Sequence, residues 1–254
     1  MINLPAAISE LSPLALVVMG AGLFVAALAR GYSGFGFSAL LVSSWSLVVE
    51  PSRAVALALV MEVIASVMQA FSVWGMIPWR RVAILTLWAI IGTPAGVWLL
   101  ANLRSDAMKL GVAVFVLIAA VALLMGFQFK RNASPAGTAT IGMVSGVANG
   151  AVAMGGLPVA IFLTAEGGSP AKMRAALIAY FFLLDLIGLG FLAQTGIVRA
   201  ATFADALVAF PILVIGMWYG TRRFLGTTAE SFRRTTLWIL IGLGLIGIAR
   251  VVFA

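Results

Sequence analysis

The chain has 254 residues, 63% of them hydrophobic and only 9% charged, with a mean hydropathy of +1.15. A soluble domain is about a quarter charged, so the polar groups here cannot cover a water-facing globule and lipid must serve as a solvent. Sixteen Lys and Arg against eight Asp and Glu give +8, but the basic residues fall in short connections such as Arg80-Arg81, Lys130-Arg131 and Arg222-Arg223. Topology signals belong there; no basic stripe interleaved with aromatics points to nucleic acid.

Cysteine and histidine are both absent. Disulfides, Cys/His metal sites, His-ligated haem and Ser-His or Cys-His nucleophile pairs are therefore excluded, and neither metal nor cofactor is expected. No Gly-x-x-x-x-Gly-Lys-Ser/Thr loop occurs, so ATP hydrolysis by that route is excluded too.

In chain order, the first apolar stretch follows Glu10 rather than a basic segment. It reads as a retained helix instead of a cleaved signal. The region 13–49 is longer than one span and is broken at GYSGFG, giving two helices over 13–30 and 33–49. Uninterrupted spans follow at 53–74, 81–103 and 106–127, each near the ~20 residues that cross the hydrocarbon. A second broken region, 136–165, splits near NGAVAMGGLP into 136–151 and 155–165, and spans at 174–195, 205–224 and 234–253 complete the chain. Gly-x-x-x-Gly at 92–96 and 216–220 predicts close helix packing. The seven tryptophans lie mostly near span ends, as interface anchors do.

The sequence is written twice. A shift of 121 superposes Arg53-Ala54 on Arg174-Ala175 and Gly34 on Gly155; further on, a shift of 124 superposes Gly92 on Gly216 and Gly96 on Gly220. The expected fold is an all-α polytopic membrane protein of one domain, 1–254, with repeats over about 13–127 and 136–253. Each repeat is a glycine-broken, re-entrant-like helix pair followed by three transmembrane helices. If each broken region enters and returns, Arg80, Arg81, Lys130, Arg131, Lys172, Arg174, Arg222, Arg223, Arg233 and Arg234 gather on one side. The positive-inside rule makes that side cytoplasmic and both termini external. Five segments per half then make the repeats inverted.

Broken helices at membrane depth need protein or a water-filled cavity around their backbone. A half-helix beginning at such a break offers unpaired N–H groups and a positive dipole end, which suit an anion. Gly34, Gly36, Gly155 and Gly156 would let a ligand approach that backbone. Arg30, costly in a membrane segment, supplies a planar fork for an oxyanion, with Ser33 beside it and Asn149 as the neutral donor in the second half. An alternative has Arg30 snorkelling to a headgroup. Glu62 and Asp185 sit mid-span in equivalent helices and are candidates for ion coupling or proton relay; a structural salt bridge is the other reading.

The stretches GYSGFGFSALLVSSWSLVVEPSRAVAL (31–57), MIPWRRV (76–82), IGTPAGVWL (91–99) and ANGAVAMGGLPVAIFLTAEGGSPAKMRAAL (148–177) resemble, in this order, the sulfite exporter TauE/SafE family of membrane permeases. The resemblance implies a secondary transporter in the bacterial cytoplasmic membrane for a small organosulfur oxyanion, such as sulfite or a sulfonate. The family's usual Gly-Gly-Gly-x-Pro survives as Gly155, Gly156 and Pro158, whereas the first half reads GFGF. The rival readings are a passive anion channel and an intramembrane enzyme or oxidoreductase anchor. The expected partners are the lipid bilayer and a small anion, with self-association left open.

Overall fold

A computed structural model of the chain describes residues 12–125, 134–166, 169–224 and 229–253. Glu10, Lys130 and Arg131 lie outside the described residues. Within them the chain forms ten α-helices and no strand. The first half supplies α1 (Pro13–Ser33), α2 (Phe37–Trp45), α3 (Pro51–Val73), α4 (Trp79–Asn102) and α5 (Ser105–Met125). The second supplies α6 (Pro135–Val152), α7 (Gly156–Glu166), α8 (Pro170–Gln194), α9 (Ala200–Phe224) and α10 (Ala229–Phe253).

Both halves start with the same local device. Ser12 accepts a hydrogen bond from the Ala15 amide at 3.2 Å and Ser134 one from the Gly137 amide at 3.1 Å, each followed by a proline in the first turn. The serine caps an orphan donor, and the proline lacks an N–H only where none is needed.

Six helices, α1, α3, α4, α5, α8 and α9, are long and apolar enough to cross a membrane. The protein is a multi-pass membrane protein, and large apolar side chains such as Phe71, Ile118 and Leu207 point outward. The polar residues go the other way: Arg30, Glu62, Ser66, Asn149 and Asp185 are all buried. α2 and α7, with 9 and 11 residues, extend about 13–17 Å at 1.5 Å per residue and cannot span.

The first break differs from expectation. α1 does not stop at Arg30 but continues to Ser33, 21 residues in all, which is full span length. Gly31 stays helical because it is packed against α9, and the chain turns at Gly34 (φ 78°) and Gly36 (φ 87°), a left-handed conformation that glycine adopts freely. The second break turns at Ala153 (φ 55°), not at Gly155 or Gly156. An alanine there carries a backbone strain of roughly 1–2 kcal/mol.

The two halves interlock. α4 lies along α6 and α9 along α1; α3 faces α8, and α5 faces α10. Exchanging the halves turns the α4–α6 and α1–α9 pairings into each other and the α3–α8 and α5–α10 pairings into themselves. The α4–α6 and α1–α9 seams are backbone-on-backbone. A methyl built on Gly92, Gly96 or Gly146 would overlap the carbonyl oxygen of Met143, Val147 or Ala89, and one on Gly31 or Gly220 that of Met217 or Leu28. The predicted role of the 92–96 and 216–220 glycines holds. One further run, Gly142, Gly146 and Gly150, forms the α6 side of its seam.

Trp45 departs from its expected interfacial place: it is buried and donates its indole N–H to the Met19 carbonyl at 3.0 Å. Trp74, Trp79, Trp98, Trp218 and Trp238 are exposed, as anchors are.

Candidate functional site

α3 and α8 are the most enclosed of the spanning helices, and each carries one of the two mid-span acids. On α3, Glu62, Ser66 and Gln69 are spaced four and three residues apart, so they share one face. The last turn of α1 lies against that face. Gln69 donates to the Arg30 carbonyl at 3.3 Å, which fixes the Arg30 backbone two turns beyond Glu62.

From there the Arg30 side chain reaches back toward mid-span. Nη1 donates to the Gly34 carbonyl, Nη2 donates to Ser66 Oγ at 2.7 Å, and Nε lies 3.3 Å from Glu62 Oε2. The guanidinium carbon sits 4.7 Å from the centre of the Phe181 ring on α8. Glu62 in turn accepts a hydrogen bond from Ser38, in the first turn of α2, at 3.0 Å. Arg30 is completely buried, so the snorkelling alternative does not describe it.

A fully desolvated guanidinium costs several kcal/mol unless paired and hydrogen-bonded. Here the pairing is close but incomplete. Arg30 Nε and Glu62 Oε2 are in ion-pair contact without forming a hydrogen bond, and Gln69 Oε1, Asn149 Oδ1 and Asp185 Oδ2 are also buried without one. Orphaned buried polar atoms are uncommon, and five of those among the described residues gather in this one region.

The second half repeats the scheme with neutral groups. Ser145, on α6, donates to the carbonyl of Gly155 and shares a 2.6 Å hydrogen bond with Tyr180 on α8. In each half, then, the tip carbonyl (Gly34 or Gly155) is held by a side chain of the preceding helix that also bonds the half's third helix. Asn149 stands beside Asp185 and donates to the Leu184 carbonyl at 3.3 Å. Arg174, at the start of α8, donates to the Gly31 carbonyl at 3.1 Å and so joins the second half to the first tip.

The structure thus brings Arg30, Gly34, Glu62, Asn149 and Asp185 into one buried region, but not as anticipated. Arg30 meets the carbonyl of Gly34, not the amides that follow it, because it belongs to the C-terminal turn of α1 and not to the start of α2. The glycines expected to admit a ligand are filled by protein. A Cβ on Gly34 would come 2.8 Å from Arg174 Cγ, one on Gly155 would come 2.6 Å from the Ser145 carbonyl oxygen, and one on Gly156 would overlap the Phe181 ring. Gly36 supplies the turn into α2. Ser33 closes α1, and its side chain lies outside the described residues. Ser66, Gln69, Ser145, Tyr180 and Phe181 were not anticipated. The signal for the first three is the spacing of polar residues at i, i+4 and i+7 along α3 and at i, i+4 along α6; Tyr180 and Phe181 carry no comparable signal.

Two more ion pairs join the halves away from the centre. Arg53, opening α3, holds Asp205 of α9 at 2.8 Å, and Arg81, opening α4, holds Glu166 at the end of α7. Among the described residues no cluster of acidic side chains could hold a metal ion.

Comparison with known proteins agrees with this architecture. The chain is 28% identical over 175 residues to a Cupriavidus necator protein described as a probable sulfite/organosulfonate exporter TauE, covering 66% of this chain and 67% of that one. No solved structure matches. The profile of the sulfite exporter TauE/SafE family matches residues 18–246. A span-length match of that kind, on a bundle whose charged side chains converge inside the membrane, means that this chain belongs to the TauE/SafE family of membrane permeases and is a transporter, not an enzyme.

Proposed function

We propose that the protein exports a small sulfur oxyanion, sulfite or an organosulfonate, across the cytoplasmic membrane as a secondary transporter. The observation that carries the reading is Arg30: a completely buried guanidinium, held on a helix break at the meeting of both halves, with hydrogen-bonding capacity left unfilled at Nε. A planar fork of this kind matches a three-oxygen anion. The name of the Cupriavidus necator relative supports the same substrate class. The exchanged pairing of helices between the halves supports inverted repeats, and the basic connections support external termini. A transporter is favoured over a channel because Arg30, Glu62, Asn149 and Asp185 are all closed off from solvent.

The driving force in this reading is the membrane potential, worth about 2.3 kcal/mol per charge per 100 mV, alone or with an ion gradient. The test is counterflow of labelled sulfite or methanesulfonate in proteoliposomes. Arg30→Ala, purified with wild-type yield and melting temperature, should abolish saturable uptake, and Arg30→Lys should retain charge but lose most affinity. Wild-type counterflow by a well-folded Arg30→Ala protein would remove Arg30 from the substrate site.

A further inference from the structure

Each nitrogen of the Arg30 guanidinium already faces a protein oxygen. Nη1 and Nη2 are engaged by Gly34 and Ser66, Phe181 covers one face, and the Nε edge is taken by Glu62. Three of these contacts come from residues fixed in place: a tip carbonyl, a helix hydroxyl and a packed ring. The fourth comes from a flexible side chain whose Oε2 lies beside Nε without hydrogen-bonding to it. The replaceable contact is therefore Glu62.

We propose that Glu62 is an internal competitor of the substrate: its carboxylate occupies the oxyanion's place on Arg30, and loading the substrate displaces it and adds one proton to it. The inference rests on the substrate reading given above. A sulfonate or sulfite presents the same pair of oxygens that a carboxylate does, so the two cannot share the Nε edge.

Once displaced, Glu62 keeps the hydrogen bond from Ser38 but loses its cation. The charged groups around it do not replace that cation. Asp185, on the facing helix α8, is a second buried acidic side chain near Glu62 and supplies no cation. Arg174, also on α8, is drawn to the Gly31 carbonyl, and Asp205 on α9 is held by Arg53. From α6 comes Asn149 and from α2 Ser38, both neutral. A buried carboxylate left without a cation is disfavoured, whereas the acid form is not. The Ser38 hydroxyl can turn from donor to acceptor for it.

The balance is simple: a proton from water joins the Glu62 carboxylate as the anion takes its place on Arg30, and both are released together. A monoanion then crosses without net charge, so the membrane potential does not act on it and its own concentration gradient drives it. A dianion crosses with one net negative charge, and an inside-negative potential drives it outward.

The experiment is titration calorimetry of the full-length purified protein with methanesulfonate, an anion that carries no proton of its own near neutral pH. Runs in two buffers of different ionisation enthalpy report protons taken up. Wild type should take up about one proton per bound anion and bind up to tenfold more weakly for each unit rise in pH. Glu62→Gln should bind at least tenfold more tightly than wild type at pH 7.5, with no proton uptake and no pH dependence. Asp185→Asn, which leaves Glu62 on Arg30, should still take up the proton. Binding by wild type without proton uptake overturns the proposal and needs no variant to fold; so does Glu62→Gln protein that binds more weakly. Absence of binding to wild type and Glu62→Gln alike, with sulfite and longer sulfonates also tried, overturns the substrate reading itself, and this inference falls with it.

Discussion

Gly156→Ala is the smallest change that reaches Arg30 from the other half of the molecule. A methyl at Gly156 would overlap Cε1 and Cζ of Phe181 and lie 3.0 Å from Cδ1. The ring is rigid and buried, and its opposite role is to lie under the Arg30 guanidinium at 4.7 Å. It must shift, and any shift alters that contact. Overpacking of this kind costs about 1–3 kcal/mol, and a desolvated cation–ring contact is worth up to about 2 kcal/mol. If the first figure appears as lost stability and the second as lost affinity, thermal unfolding in detergent should show a lowered midpoint, and the methanesulfonate Kd should rise by up to about thirtyfold. Combining Gly156→Ala with Phe181→Leu removes the flat ring edge, so stability should recover while affinity stays weak. Gly156→Ala protein that melts and binds like wild type would refute the reasoning, because the ring would then be free to move without consequence for Arg30.

Two other predictions address the frame. Gly146→Val would drive a branched side chain into the Ala89 carbonyl of α4 and should cost about 3 kcal/mol or more, read as loss of monodisperse purified protein; Gly20→Ala, with nothing within 4 Å of the new methyl, should behave as wild type. The chain has no native cysteine, so Ser134→Cys gives a background-free label, and with both termini external it should resist an impermeant thiol reagent applied to intact cells. Labelling from outside would reverse the topology.

Most of the frame was legible because membrane solvation makes hydropathy decisive: a run of apolar residues near span length has few alternatives. The Gly92 and Gly216 motifs were legible for a similar reason, since glycine at a four-residue spacing has one common use there. The buried polar cluster was legible in its members but not in its wiring. Arg30, Glu62 and Asp185 stand out because charges inside a membrane are rare. Whether an arginine faces the amides after a break or the carbonyl before it depends on where the helix ends, and α1 runs three residues further than the glycine pattern suggests. Gly155 and Gly156 misled for a related reason: a missing side chain invites a ligand or a neighbouring side chain equally, and Tyr180-Phe181 lies in a distant part of the sequence. Ser66 and Gln69 were overlooked individually, although their spacing from Glu62 places all three on one stripe of α3.

The glycine seams have a mechanical consequence. Each joins a helix of one half to a helix of the other, α1 to α9 and α4 to α6, with carbonyls packed where side chains would normally intervene. Sliding along such a seam would meet backbone at every turn, and prying it open would strip the close packing on which helix association in lipid depends. The units held together most tightly are therefore hybrids, α1 with α9 and α4 with α6, and not the two halves as they follow one another along the chain. Any excursion that exposes Arg30 carries Gly31 and Met217 along together, and its compliance lies where α3 and α8 meet the helix tips through side chains alone.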